Sequence, residues 1–481
     1  MGITMNNLEV IIGIEVHAVL NTKTKMFSPS LNNHYAAPNT LVNEIDLGLP
    51  GTLPQVNKAA IKKGIWLAKA LKANINYYEI KFDRKNYYFL DLPKGFQITQ
   101  QEKPIGENGV IYIDTDNGPK AIHIQRMHLE EDTAKQVNKE DVILLDYNRC
   151  GCPLIEIVTG PVINSAKEAT EYLKKLIQVL RFNNISDAKL EDGSLRADVN
   201  ISLRPYGQLD FNNRVEIKNI NSISNVAKAI NYEIERQTTA MLDGEVIIQE
   251  TRRFDEATNT TVTMRLKENV SNYRYFREPN ITTIVMTDEE CNAILKEKNK
   301  DIEEIVEELT SFGLKPNNIE LLLNDYELYQ IFNSLVSKTN LPLQTFNWLT
   351  VDLMGLIKKH GHDYSYLTEA KQNNIAKMIT LLDDQEINGK QAKVILDQIY
   401  LTDKSVADII KENHFEQIKD VDFLTNLIKK HIAENQDMVS QYEERAQRVE
   451  KFLVGLVMRD TNAQANPKIT MDLIVKLLTN K

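Results

Sequence analysis

The sequence predicts an α+β protein: a large mixed α/β domain with an antiparallel-rich sheet, then an all-α domain and a small all-α tail. Three observations carry that expectation. Up to about residue 295, short β-branched or alternating runs bounded by Gly, Pro, Asn and Asp recur. Beyond that point nearly every stretch repeats apolar residues at helical spacing. With 481 residues the chain is also too long for one core, so two to four domains are expected.

The elements can be taken in order. VIIGIEVHAVL (10–20) reads as a buried strand that carries Glu15 and His17 two residues apart, hence on one face. NKAAIKKGIWLAKALKANI reads as a helix, and GVIYIDTD, KAIHIQRMHL, DVILLDY and PLIEIV as strands. SAKEATEYLKKLIQVLRF is a second helix, opened by the capping-box pair Ser165 and Glu168. LRADVNISLRP, NRVEIKNI and TVTMRL complete the strands of a domain spanning 1–295. A helical domain at 296–410 follows, with Asn388-Gly389 as a helix stop and restart. Residues 294–410 hold 12 lysines, no arginine and 18 acidic residues, the balance of an acidic helical spacer. Residues 411–481 hold 11 basic and 11 acidic residues and read as a separate small helical domain.

Composition narrows the function. Apolar residues make up 42% and charged residues 26%, as in folded soluble proteins. A net charge of -10 argues against a strongly basic, non-specific nucleic-acid binder, but not against a large RNA met by local patches. No run approaches the ~18 apolar residues of a membrane helix. The N-terminal apolar run lacks a basic leader and contains Glu15 and His17, which argues against a signal peptide. The three cysteines, Cys150, Cys152 and Cys291, suit a reducing cytoplasm. Cys150-Gly151-Cys152 offers two thiols where a structural zinc site wants four ligands, so paired structural thiols are the plainer expectation. His360 and His362 sit at an expected helix end, where capping is the plainer role. There is no P-loop, dinucleotide fingerprint, H-E-x-x-H or kinase catalytic-loop pattern.

Four clusters carry chemistry. They are Glu15 with His17; HLEED (128–132), with Glu130 and Glu131; PLIEI, where Glu156 interrupts an apolar run; and EDGSLRADVNIS, where Arg196, Asp198 and Asn200 alternate onto one face. Carboxylates with one imidazole suit a hard cation such as Mg²⁺, which is commonly shared with substrate phosphates. Taken singly, each acid is more simply an ion-paired or solvated side chain. Basic and aromatic stretches accompany them: Arg84, Lys85 and Lys94 in FDRKNYYFLDLPKGFQITQ, then Lys218, Arg252, Arg253, Arg265, Lys267, Arg274 and Arg277. Guanidinium groups match phosphate oxygens in pairs.

IGIEVHAVLNTKTKMFSPS, DLGLPGTLPQVNK, KFDRKNYYFLDLPKGFQITQ, HLEED, PLIEIV, EDGSLRADVNISLRPYG, EIKNINS and ETRRFD, in this order, resemble the B subunit of the tRNA-dependent amidotransferase, and FLVGLVMRDTNAQANP resembles that family's C-terminal motif. The resemblance implies a cradle, a helical domain and a tail. It implies an ATP-dependent carbon–nitrogen ligase with glutamine as amido donor, acting on Glu-tRNA(Gln), Asp-tRNA(Asn) or both. ATP and Mg²⁺ would serve to phosphorylate the tRNA-bound side-chain carboxylate. An amidase A subunit would release ammonia, and a small C subunit would complete a cytoplasmic heterotrimer. Motif by motif, Glu15, His17, Glu131 and Glu156 match the catalytic positions, with His17, Glu130, Glu131 and Glu156 around the metal and Glu131 preferred over Glu130 as ligand. Arg84, Lys85, Lys94, Arg196, Lys218, Arg252 and Arg253 are the expected cofactor-binding residues. Lys429, Lys430, Arg445, Arg448 and Lys451 are expected to meet tRNA. The alternatives are a tRNA-binding scaffold without catalysis and a free-standing metal-dependent phosphohydrolase.

Overall fold

A computed structural model describes residues 7–33, 35–266, 272–416, 418, 420–461 and 464–479. Lys267 lies outside them. The chain divides into two compact units, Met1–Val306 and Glu307–Lys481.

The first unit is built on a nine-stranded sheet. Its strands, with those of two smaller sheets, are β1 (Leu8–Val19), β2 (Asn74–Ile75), β3 (Asp83–Asn86), β4 (Phe96–Thr99), β5 (Gly106–Thr115), β6 (Gly118–Glu131), β7 (Lys135–Lys139), β8 (Val142–Asp146), β9 (Pro153–Thr159), β10 (Leu195–Pro205), β11 (Val215–Ile220), β12 (Glu250–Asp255), β13 (Thr260–Leu266) and β14 (Phe276–Arg277). The large sheet runs β13-β12-β11-β10-β1-β9-β6-β5-β2; β14-β3-β4 and β7-β8 form the others. The helices are α1 (Lys58–Ala70), α2 (Ala166–Phe182), α3 (Ile223–Leu242) and α4 (Asp288–Lys296). Of the pairings in the large sheet, β11 with β12 is parallel, and α3 supplies the crossover such a pair requires.

β1 lies at the centre, paired antiparallel with β10 on one side and β9 on the other. Its even-numbered residues Ile12, Ile14, Val16 and Ala18 are fully buried in the core beside Leu173 and Leu176 of α2 and Ala229 and Ile230 of α3. Burying each of the large ones contributes ~1.5–3 kcal/mol. The odd-numbered residues, Glu15 and His17 among them, therefore take the other face. α2 begins as expected, with Ser165 accepting from Glu168 N at 3.1 Å. The box closes differently, because the Glu168 carboxylate takes Asn164 N and Lys120 in place of the cap's own N–H.

Two irregularities shape the polar face. In β6 the pairing with β9 shifts at Gln125, between Ile124 and Arg126. In β11 the register slips between Ala197–Ile220 and Val199–Ile217, and Asn219 adopts a φ of 60°. Such bulges re-aim side chains, and Lys218 beside this one reaches Asp198.

The described residues of the second unit form helices, joined by turns and one isolated parallel bridge between Ile418 and Ala465. Tyr326–Thr339, Glu369–Asp383 and Gly389–Leu401 are its longer early helices, and Asn388 caps the last of these with a capping box to Gln391. Helix Met354–His360 ends on Gly361, whose φ is 68°. The glycine turns the chain, the His362 N–H closes the cap on the Ile357 carbonyl at 3.2 Å, and the His362 ring meets the Tyr400 hydroxyl at 2.8 Å. Val421–Glu434, Tyr442–Asp460 and Pro467–Thr479 share an apolar cluster that includes Leu424, Ile428, Leu453, Val457 and Ile474.

Candidate active site

Strand register assembles the site. His17 on β1 lies directly opposite Glu156 on β9, and Glu156 lies directly opposite His128 on β6. Across the other edge of β1, His17 faces Arg196, and Glu15 faces Asp198, both on β10. One row of side chains thus crosses four strands. Glu130, two residues beyond His128, joins it on the same face.

The distances are short. His17 Nε2 is 3.3 Å from Glu156 Oε2 and 3.8 Å from Glu130 Oε1. His128 Nε2 is 3.2 Å from Glu156 Oε2 and 3.4 Å from Glu130 Oε2. Thr99 Oγ1 donates to Glu130 Oε2 at 3.2 Å. Among the described residues, His17, Glu130 and Glu156 are the group whose donor atoms, all within 4.8 Å of one another, could hold a metal ion.

The electrostatics split the acids. Burial opposes the charged form of Glu156, but His128 and His17 outweigh it and hold the carboxyl well below the usual range. Glu130 is lowered the same way, burial being overcome by His128 and His17. Burial works against protonated His17 and His128 too. Glu156 and Glu130 nonetheless raise both, His128 to about 9. Glu15 goes the other way: burial first, then the charges of Glu156, Asp198 and Glu216, raise its pKa. Neighbouring carboxyls driven apart in this way are a mark of functional sites.

Glu131, the expected ligand, is not brought to the group. Its carboxylate is engaged by the Lys94 ammonium and by Ile98 N at 2.9 Å. The strand pleat turns it away from its neighbour Glu130, and the structure places Glu130 where Glu131 was expected.

The basic residues divide similarly. Lys85 lies with Nζ 4.9 Å from the Tyr273 ring centre and 5.8 Å from that of Tyr87. Burial disfavours its charge, but the charge of Glu130 above all, then Tyr275 and Glu156, raises its pKa. Lys218 sits 2.5 Å from Asp198 and 3.1 Å from Glu216. Arg196 meets Asp132 at 3.0 Å, and Arg149 grips the same carboxylate at 2.7 and 2.9 Å. Arg84 is spent elsewhere, bidentate on buried Glu278 at 2.5 and 3.1 Å and stacked on Phe96. Arg252 is likewise committed, to Glu233, Glu250 and Thr261. Lys94 is held by Glu131, and Arg253 is half-exposed, 3.8 Å from Asp255. Arg84, Lys94 and Arg252 are thus not free cations over the site, a correction to the expected cofactor set.

Beside Glu15 the polar face opens into a cleft of about 390 Å³. Asn200, Ser202, Phe211, Asn212, Arg214 and Gln125 line it, and Asn200 Nδ2 donates to Glu15 Oε1 at 2.9 Å.

Residues 10–292 match the GatB/GatE catalytic domain, and residues 330–478 match the GatB domain. The B subunit of the aspartyl/glutamyl-tRNA(Asn/Gln) amidotransferase of Ureaplasma urealyticum serovar 10 is 52% identical over 475 residues, covering 98% of this chain and 100% of that one. The chain belongs to this family of amidotransferase B subunits. The corresponding proteins of Malacoplasma penetrans and Mycoplasma genitalium are 47% and 45% identical, each over 98% of both chains.

In this amidotransferase chain the basic tail residues belong to the second unit. Lys429 and Lys430 lie on Val421–Glu434; Arg445, Arg448 and Lys451 lie on Tyr442–Asp460; all five are exposed. The helix deviates at Arg445, whose φ is -142° and ψ 50°. Cys150 and Cys152 are buried, their thiols directed at the carbonyls of Asp46 and Asn148. Burial raises both thiols, Cys152 to about 12. His128, Thr99 and Phe211 were not singled out from sequence. His128 had a signal, since H-x-E at 128–130 repeats in reverse the two-residue spacing of Glu15 and His17.

Proposed function

We propose that this chain is the kinase half of a glutamine-dependent amidotransferase. It would use ATP to phosphorylate the side-chain carboxylate of Glu-tRNA(Gln) or Asp-tRNA(Asn), preparing it for ammonia from an amidase partner. The observation that carries this is the His17–Glu156–His128 row with Glu130 beside it.

The donor set fits Mg²⁺: two carboxylates held ionised and one imidazole, with donor atoms within 4.8 Å of one another. His17, Glu130 and Glu156 would hold the ion. When bound, it supplies charge neutralisation on the transferring phosphoryl oxygens. The chain's own residues do the remainder. Lys85, kept cationic over its tyrosines, is placed to orient the incoming carboxylate. Lys218, between Asp198 and Glu216, and Arg196, on Asp132, balance the acids of the same face. The neighbouring cleft, with Phe211 to stack and the amides of Asn200 and Asn212 to hydrogen-bond, suits the nucleoside. Phosphorylation turns a poor electrophile into one with a leaving group, and ammonia then displaces phosphate. The exposed basic residues of the tail suit tRNA, whose backbone rewards distributed Lys and Arg.

The test is single-turnover ATP cleavage by the purified complex with misacylated tRNA. Glu156→Gln should abolish cleavage while the complex still assembles and binds tRNA. Cleavage at the wild-type rate would refute the assignment. Tight tRNA binding without any phosphorylated intermediate, in the wild-type complex, would return the scaffold alternative.

A further inference from the structure

We infer that His128 is a positioning residue, whose Nε2–H fixes one oxygen each of Glu130 and Glu156 so that their other oxygens converge with His17 on a divalent cation. The inference rests on the cation site proposed above.

His128 sits on the far side of Glu156 from His17, in the same cross-strand row. Its Nε2 lies between two carboxylate oxygens, Glu156 Oε2 at 3.2 Å and Glu130 Oε2 at 3.4 Å. Thr99 Oγ1 holds that same Glu130 oxygen from β4. The consequence is a division of labour within each carboxylate. Glu130 Oε2 is tied to His128 and Thr99, and its Oε1 is turned toward His17. Glu156 Oε2 is shared by the two imidazoles, which leaves its Oε1 for a cation. Without a donor between them, two buried carboxylates repel and separate.

The ring's surroundings favour this role over simple packing. His128 is only 8% exposed, and its Nδ1 is buried without a partner among the described residues. A core histidine normally satisfies both nitrogens. Here one is left orphaned while the other is spent on two acids. Nε2 must carry a proton to face two acceptors whether the ring is neutral or charged, so the arrangement does not depend on the ring's charge. Groups that orient metal-binding side chains typically govern 10–100-fold in metal affinity.

The test is Mn²⁺ binding to the purified complex, read by electron paramagnetic resonance without nucleotide or tRNA. His128→Leu should weaken binding by about 10–100-fold. His128→Asn, whose amide N–H can still donate toward the carboxylates, should recover much of the loss at similar thermal stability. Thr99→Val provides a second route if His128→Leu does not assemble, with a smaller weakening expected. Wild-type Mn²⁺ affinity in His128→Leu or Thr99→Val would overturn the positioning role and leave the cation site standing. Equal losses in the Leu and Asn variants, tracking a fall in stability, would also overturn it. Absence of Mn²⁺ binding by the wild-type complex would overturn the site itself.

Discussion

Asp132 offers the sharpest test of how the polar face is held in place. Its carboxylate is buried, accepts two hydrogen bonds from Arg149, one from Arg196 and one from Thr133 N, and so anchors the register neighbour of His17. Asp132→Asn removes the charge at constant shape and leaves two guanidiniums facing each other. Breaking a buried ion pair costs about 3–5 kcal/mol. Arg149 and Arg196 are about a third exposed and can partly rehydrate, so the lower end, about 3 kcal/mol, is expected. The first unit spans 306 residues, and at ~2.1 cal/mol/K per residue its unfolding entropy is about 640 cal/mol/K. The loss therefore lowers Tm by about 5 °C.

Scanning calorimetry across pH checks both size and cause. Burial opposes ionised Asp132, but Arg196 and Arg149 outweigh it, so its folded pKa is depressed. A depressed carboxyl stabilises the fold above its unfolded pKa, and that stabilisation is lost as pH falls toward the folded value. The gap between wild type and Asp132→Asn should be full at pH 7 and begin to close below about pH 4. A gap under 1 kcal/mol, or one that does not change with pH, would refute the account.

Other outcomes follow from the same geometry. Glu130→Gln should remove Mn²⁺ binding, whereas Glu131→Gln should mainly lower stability through the loss of Lys94's partner; the reverse pattern in a metal titration would restore Glu131 as the ligand. Phe211→Ala should raise KM for ATP about tenfold, the order of ~1.4 kcal/mol of lost stacking, with glutamine hydrolysis by the partner unchanged. Neutralising Lys429, Lys430, Arg448 and Lys451 together should weaken tRNA use and flatten its salt dependence, and steady-state KM for tRNA at two ionic strengths would show it.

The strand that seeds the site was legible because its alternation is strict: four buried aliphatics on even positions leave Glu15 and His17 together on the odd ones. The choice between Glu130 and Glu131 was not settled by motif, because it depends on the pleat phase of β6, which the irregularity at Gln125 resets. Pairing each acid with His128 by parity would have favoured Glu130. Arg84 and Arg252 looked like phosphate ligands because a guanidinium alone does not reveal its partner. Glu278, 194 positions from Arg84, becomes its neighbour only once β14 pairs with β3. The cleft beside Glu15 was invisible for the same reason, since Gln125 of β6 meets there Asn200 of β10 and Phe211 of the loop after it.

The alternation of β1 has a consequence for which changes this gene can tolerate. Substitutions along the strand act locally, on either the apolar or the polar side. A single-codon insertion or deletion just upstream of Glu15, within the paired segment, acts on both at once. It would rotate Val16 and Ala18 outward and drive His17 and Glu15 into the helices behind the sheet. Length variation among functional versions of this protein should therefore collect in its loops, and β1 should keep its residue count even where its apolar side chains drift.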